Sequence, residues 1–194
     1  MGAIVDPAEV KLFVGMLAGE AARFAEAETL LVERYGPVDL SSDVMPFEYT
    51  DYYRKEMGGS LKRKFLSFER LIRPDGIVDI KRATNEIEED LARREKGVRS
   101  LASGLLTPSS PPARPLNLDP GYLALSKVVL ATTKDYAHRI YLGKGIYAEV
   151  TLHFQRGRYE PWEWTYPDYR TEDYARFFLE ARERLREQLR TAAR

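Results

Sequence analysis

The sequence contains no cysteine. Disulfides, thiolate nucleophiles, iron–sulfur clusters and cysteine-based zinc sites are all excluded. Its only histidines are His138 and His153, too few for a multi-histidine metal site. It has no surplus of either charge, since Lys+Arg and Asp+Glu both count 30. A protein that wraps nucleic acid needs excess positive charge to displace counterions, so nucleic acid is disfavoured as a partner. No window approaches the roughly 18–20 apolar residues of a membrane span. The opening MGAIVDPAEVKLFVG lacks the basic region and long apolar run of a signal peptide, so the cytoplasm is the expected location. GxxxxGK[ST], GxGxxG and GxSxG are also missing, leaving a P-loop, a dinucleotide fold or a hydrolase elbow without support.

What remains is 194 residues, 44% hydrophobic and 31% charged. That profile fits one soluble globular domain, large enough to fold without covalent staples. Val10–Leu17 places apolar residues on both parities, which predicts a strand covered on both faces. A helical stripe follows Gly19 and stops at Gly36-Pro37. Val38–Thr50 reads as extended or irregular, with Pro46 limiting any ladder role. Thr50–Gly59 reads as one capped helical turn closed by paired glycines. Ser60–Ile72 reads as a strand and Pro74-Asp75-Gly76 as a turn. The spacing then predicts an amphipathic helix from Val78 to about Lys96, its solvated face carrying Lys81, Arg82, Glu86, Glu89, Asp90, Arg93 and Arg94. Residues 97–114, which include SGLLTPSSPPAR, form a Pro/Ser-rich loop.

Asp119-Pro120-Gly121 matches a type II turn. Val128–Ala131 reads as a buried strand. Gly143-Lys144-Gly145 marks a hairpin between Tyr136–Leu142 and Ile146–Phe154. A last helix starts near Thr171, with Glu172 and Asp173 at the positive end of its dipole. The whole is α+β: one domain with a mainly antiparallel sheet and flanking helices. A ferredoxin-like core extended by a C-terminal hairpin and helix satisfies the order of elements.

The hairpin gives the sharpest geometric expectation. With Leu142 opposite Ile146, Arg139 falls opposite Glu149, Tyr141 opposite Tyr147, and Asp135 opposite His153. These six share a polar face with Thr151. The face either binds an anionic or polar ligand or is solvated and laced by cross-strand ion pairs. His138, on the other parity with Ile140 and Leu142, is either a hydrogen-bonded core residue or a catalytic or ligand-binding group. Thr132-Thr133-Lys134-Asp135 offers hydroxyls and an ammonium group to phosphate. Asp51, Glu56, Asp119, Asp135, Glu149 and Asp168 are oxygen donors suited to a divalent metal such as Mg²⁺ or Ca²⁺, but their spacing selects no subset. Two aromatic clusters, Tyr49/Tyr52/Tyr53 and Trp162/Trp164/Tyr166/Tyr169, either stack on a ring or pack an irregular segment.

Four segments carry a resemblance: TDYYRKEMG (50–58), NLDPGYL (117–123), TTKDYAHRIYLGKGIYAEVTL (132–152) and WTYPDY (164–169). Together with KLFVGML and the SFERLI and IKRATNEIE stretches, they resemble a family of small bacterial and archaeal proteins known as a domain of unknown function (family 4416). The resemblance covers nearly the whole chain, and the Ser103–Pro112 loop stands out as an insertion. Some members carry a GTP-binding description. This sequence has no Walker lysine loop and no [NT]KxD element, since in Thr133-Lys134-Asp135 the aspartate follows the lysine directly.

Two functions from different classes therefore compete. The first is a binder, with or without catalysis, of a small polar or phosphorylated molecule on the polar hairpin face. Its candidate residues are Asp51, Tyr53, Glu56, Asp119, Lys134, Asp135, His138, Arg139, Tyr147, Glu149, His153 and Asp168. Arg139 and Lys134 would hold an anion, and Glu149 or Asp119 would act as base or metal ligand. The second is a non-catalytic interaction module or homodimer, joined through aromatic turns or apolar helix stripes. RNA binding near Lys62-Arg63-Lys64 is a third, opposed by the zero net charge.

Overall fold

Strand β1 (Val10–Ala18) runs through the middle of the molecule, and all nine of its residues are buried. Its even-numbered side chains Leu12, Val14 and Met16 pack with Phe24, Leu31, Ile77 and Ile87. Phe13, on the opposite face, packs with Phe65, Leu123, Phe177 and Phe178. Apolar residues on both parities thus become a strand with a core on each side, as expected. Each large apolar side chain so buried contributes roughly 1.5–3 kcal/mol.

The computed structural model describes residues 2–49, 57, 60–103 and 114–192, with side chains described outside 96–103. After β1 come helix α1 (Ala22–Tyr35) and strands β2 (Val38–Ser41), β3 (Met45–Phe47) and β4 (Leu61–Ile72). A single 3₁₀ turn, Pro74–Gly76, leads into helix α2 (Ile77–Ser103). Strands β5 (Asn117–Ala124), β6 (Lys127–Thr132), β7 (Ile140–Gly143), β8 (Ile146–Gln155) and β9 (Arg158–Pro161) follow. A second 3₁₀ turn, Pro167–Arg170, precedes helix α3 (Glu172–Ala192).

The nine strands make one antiparallel sheet in the order β2-β4-β1-β5-β6-β8-β7, with β3 on β4 and β9 on β8. Its first half, β2-β4-β1-β5 with α1 and α2 as crossovers, has the split β-α-β order of a ferredoxin-like core. The second half extends that core past β5, and α3 covers the face opposite α1 and α2. The expected α+β architecture is the observed one. Among the described residues no helix is long and apolar enough to cross a membrane.

Several local expectations change. Helix α2 runs on to Ser103 rather than ending near Lys96, because a lone interior glycine such as Gly97 costs a helix only about 1 kcal/mol. Of the expected loop, 104–113 lie outside the described residues. Lys81, expected on the solvated face, is buried. Pro46 does join a ladder, opposite Lys62 in the short strand β3. Asp119-Pro120-Gly121 is not a turn but the middle of β5. Strand β7 starts only at Ile140, because Tyr136–Arg139 forms a turn closed by Arg139 N–H donating to Tyr136 C=O. Tyr141 does face Tyr147, but the pairing slips by one at the turn, where Gly143 rather than Leu142 meets Ile146. His153 faces Lys127 and Glu160, not Asp135, since β6 and β9 occupy both sides of that part of β8.

Candidate functional site

The site originates in a failed ladder. β5 pairs with β6 only from Gly121 to Ala124, opposite Leu130 to Lys127. Beyond that point β5 continues on β1 alone, and β6 continues on β8 alone. Leu118 N–H donates to Glu88 Oε1 at 2.7 Å, and Leu118 C=O accepts from Lys81 Nζ at 2.8 Å. The even-numbered residues here therefore turn their peptide groups away from β1. Pro120 is next on that side and has no N–H to give, so the ladder to β6 stops. The strands part and leave a cleft of about 580 Å³, within the usual range for small-ligand sites.

One wall is built on β4 and β5. Arg63, inward-facing between Leu61 and Phe65, sends Nη1 to Asp119 Oδ2 at 2.9 Å and Nη2 to within 3.6 Å of Asp168 Oδ2. Its guanidinium also lies over the Phe47 ring, 5.0 Å from the centroid. The two carboxylates respond in opposite directions. Burial would raise Asp119, but Arg63 and Lys81 outweigh it and hold the carboxyl below its ordinary range. Burial raises Asp168 above that range, and Arg63 offsets it only in part. Burial likewise pushes the neighbouring Tyr169 hydroxyl well up.

The floor comes from α2. Lys81 and Glu88 hold the edge of β5, and Asn85, one turn beyond Lys81, lines the cleft between them. Glu88 Oε2 accepts from Arg114 Nη2 at 2.6 Å, and Arg114 also donates to Asn117 Oδ1. Burial raises Glu88 above its ordinary range despite Lys81 and Arg114. Asn117 is only 3% exposed, and its Nδ2 has no acceptor in hydrogen-bonding geometry. That nitrogen is still near enough to Asp119 to favour the ionised carboxyl.

The far wall belongs to β6, β8 and the loop before β7. Glu149, on β8 opposite Leu130, is buried. Its Oε2 accepts from Arg139 Nε at 2.8 Å and lies 3.1 Å from His138 Nε2. Arg139 also donates from Nη1 to Lys134 C=O at 3.0 Å and from Nη2 to the Tyr166 hydroxyl at 2.6 Å. A guanidinium has five N–H groups; these bonds engage three of them. Thr132, Thr133 and Lys134 complete the wall.

The aromatic segment fixes Tyr166 and Asp168 above the opening. Arg170 donates to the carbonyls of Trp162, Glu163 and Thr165, and Thr165 Oγ1 donates to Thr151 C=O at 2.6 Å. Trp164 stacks on His138 at 5.4 Å and on Trp162 at 5.3 Å, and Trp162 meets His153 at 4.2 Å. Both histidines and both tryptophans of the chain thus form one pile. It is packing that ends, through His138, on a cleft carboxylate.

Of the residues singled out from sequence, Asp119, Lys134, Arg139, Glu149 and Asp168 line the cleft. His138 stands behind it on Glu149. Tyr147 faces Tyr141 with ring centroids 5.1 Å apart, Asp135 is exposed in the loop, and His153 is taken up by Trp162. Asp51, Tyr53 and Glu56 lie outside the described residues. Arg63, Lys81, Asn85, Arg114 and Asn117 also line the cleft, although sequence patterning does not single them out as site residues. Arg63 had a visible signal: a cation at the inward parity of Leu61-x-Arg63-x-Phe65. The basic run Lys62-Arg63-Lys64 is divided, with Arg63 buried and Lys64 2.9 Å from Glu28. Among the described residues, no three acidic or histidine side chains gather at one point.

The arrangement combines cations that attract an anion with carboxylates and amides that can receive or donate hydrogen bonds. The family model described as a domain of unknown function (DUF4416) matches residues 8–185. All the cleft residues lie inside that span. No curated protein and no solved structure matches the chain. The chain belongs to the DUF4416 family.

Proposed function

For this member of a family described as a domain of unknown function, we propose that the cleft between β5 and β6 binds a small anionic ligand bearing a phosphate or similar group. One observation carries the reading. Arg63, Lys81, Arg114, Lys134 and Arg139 converge on the cleft against Asp119, Glu149 and Asp168, with Glu88 beside Lys81 and Arg114 as a fourth carboxylate, so the cations exceed the carboxylates by one in a chain of zero net charge. Positive charge concentrated in a walled cleft attracts anions far more strongly than the same charge spread over a surface. The N–H groups of Arg139 not used by Glu149, Lys134 and Tyr166 supply the fork that matches phosphate or carboxylate oxygens.

Titration calorimetry with inorganic phosphate and with phosphate monoesters tests this. Saturable binding is expected, and Arg139→Lys should weaken it by at least about tenfold. That variant keeps a cation beside Glu149 but cannot keep the bonds to Lys134 C=O and the Tyr166 hydroxyl together, so a small fall in melting temperature should accompany the loss of affinity. Absence of binding to every phosphate compound would end the proposal.

A second reading, a homodimer, is favoured by the sheet edge. Among the described residues β7 is the last strand of the sheet, and Ile140 and Tyr141 are 71% and 58% exposed on it. An open edge with apolar side chains is a template for pairing with another strand. Light scattering over a concentration series should then show a dimer that Ile140→Lys dissociates; a monomer at all concentrations would dismiss this reading.

A further inference from the structure

The geometry points to a phosphorylated polyhydroxy compound, a sugar or polyol phosphate, as the ligand class of the cleft. This inference rests on the reading of the cleft as an anion site and adds what the rest of the ligand must be.

The two walls differ in chemistry. On the β6–β8 side, Thr132, Thr133, Lys134 and Arg139 present hydroxyls and cations, the set suited to a phosphoryl group. On the β5 side, Asp119, Asn117 and Asn85 present a carboxylate and two amides. A hydroxyl is donor and acceptor at once. Carboxylates that accept and amides that both donate and accept, set side by side, therefore suit a run of neighbouring hydroxyls. Asn117 Nδ2, buried beside Asp119, has no acceptor in full hydrogen-bonding geometry, so turning this amide toward a ligand oxygen would give up little.

Size agrees. Paired strands lie about 4.8 Å apart, so β5 and β8, with β6 between them, are separated by about 10 Å or more where the ladder opens. Inorganic phosphate cannot bridge that distance, whereas a five- or six-carbon phosphate ester can. Charge also sets a limit. Asp119 and Glu149 repel a polyphosphate while leaving one phosphoryl group favoured on the cationic wall. Among the described residues, the Phe47 ring carries the Arg63 guanidinium and the tryptophan faces are stacked on each other and on the histidines, which leaves Tyr49 and Tyr166 as the exposed rings of the cleft that a base could meet.

The test compares four probes on the full chain by calorimetry: inorganic phosphate, a hexose 6-phosphate, the unphosphorylated hexose and adenosine monophosphate. The sugar phosphate should bind at least about tenfold more tightly than inorganic phosphate, the increment expected from two added hydrogen bonds. The free sugar should show no binding. Asn117→Ala should remove that preference while phosphate affinity stays. Asn85→Ala, at a half-buried position, should do the same without risk to the core. If sugar phosphate and inorganic phosphate bind equally, this inference fails and the anion site stands. If the nucleotide binds tightest, hydroxyl recognition fails in favour of a base. If no probe binds, the anion site itself is wrong.

Discussion

The guanidinium of Arg63 crosses β1 at Gly15 to reach Asp119, placing Nη1 2.9 Å from Oδ2 two strands away. Gly15 pairs with Phe65 on one side and Asp119 on the other. Its missing side chain is the space through which the cation passes. Sequence thus acts on the site through an absence: a residue without Cβ in a fully buried strand.

Gly15→Ala tests that passage. A Cβ there would lie 2.9 Å from Phe65 Cε1 and 3.2 Å from Arg63 Nη1. The Phe65 ring is fully buried against Tyr174 and Phe177, so it cannot move aside cheaply. Overpacking of this kind costs roughly 1–3 kcal/mol. Urea denaturation should show that loss, and phosphate binding should weaken with it because Arg63 is displaced. Unchanged stability would mean the guanidinium takes another route.

Pro120→Ala tests the origin of the cleft. Restoring the N–H lets the ladder run one step further, toward Ala131. Stability should hold or rise, since a backbone hydrogen bond contributes about 0.5–1.5 kcal/mol, while ligand affinity drops as the walls close. Hydrogen exchange should show a newly protected amide at position 120. If binding is unaffected, the strands are held apart by α2 through Lys81 and Glu88 rather than by the proline.

Much of this fold could be read from patterning. β1, α1, β4 and the β7–β8 hairpin follow from parity, helical period and Gly/Pro punctuation, because each is set by local chemistry and by burial. The site was legible in part. Arg139 beside Glu149 came from counting back from a turn, and it survived although Arg139 lies just outside β7. The Asp119 segment misled, because Pro-Gly in a strand looks like a turn unless its neighbours are known. Pro120 fits a strand there because its missing N–H falls where the β5–β6 ladder ends, and sequence carries no sign of that end. Lys81 looked solvated because only the placement of β5 gives its ammonium group a carbonyl to bind. Residues brought together by the sheet order β4-β1-β5, above all Arg63 and Asp119, cannot be paired without that order.

The two carboxylates on Arg63 should differ under mutation. Asp119 has a folded-state pKa below its unfolded value. The stability it contributes is present above about pH 4 and is lost as pH falls through the folded value. Asp168 is shifted upward. Stability from its neutral form is present below about pH 4 and is lost as pH rises through its folded value. Asp119→Asn should therefore cost about 2 kcal/mol at pH 7, less than a fully buried pair because Asp119 keeps some exposure. Asp168→Asn should cost less than half as much, about 1 kcal/mol at most. Denaturation from pH 7 down to pH 3 should show the Asp119→Asn deficit shrinking; equal losses at pH 7 would contradict the assignment.

The aromatic pile provides an optical report on the cleft. The chain has two tryptophans, and both stand in the pile that ends at His138. His138 shares Glu149 Oε2 with Arg139, so an anion that draws on Arg139 alters the charge His138 faces. Trp164, stacked on that ring and bonded from Nε1 to Val150 C=O at 3.2 Å, lies within reach of the change. Adding a phosphate ester should therefore shift tryptophan emission along the binding isotherm. His138→Phe keeps a ring in the stack but removes the bond to Glu149. In that variant calorimetry should still register binding while the emission response falls by more than half. A response that persists undiminished would show that the signal reaches Trp164 through Tyr166 and the segment above the cleft, not through the histidine.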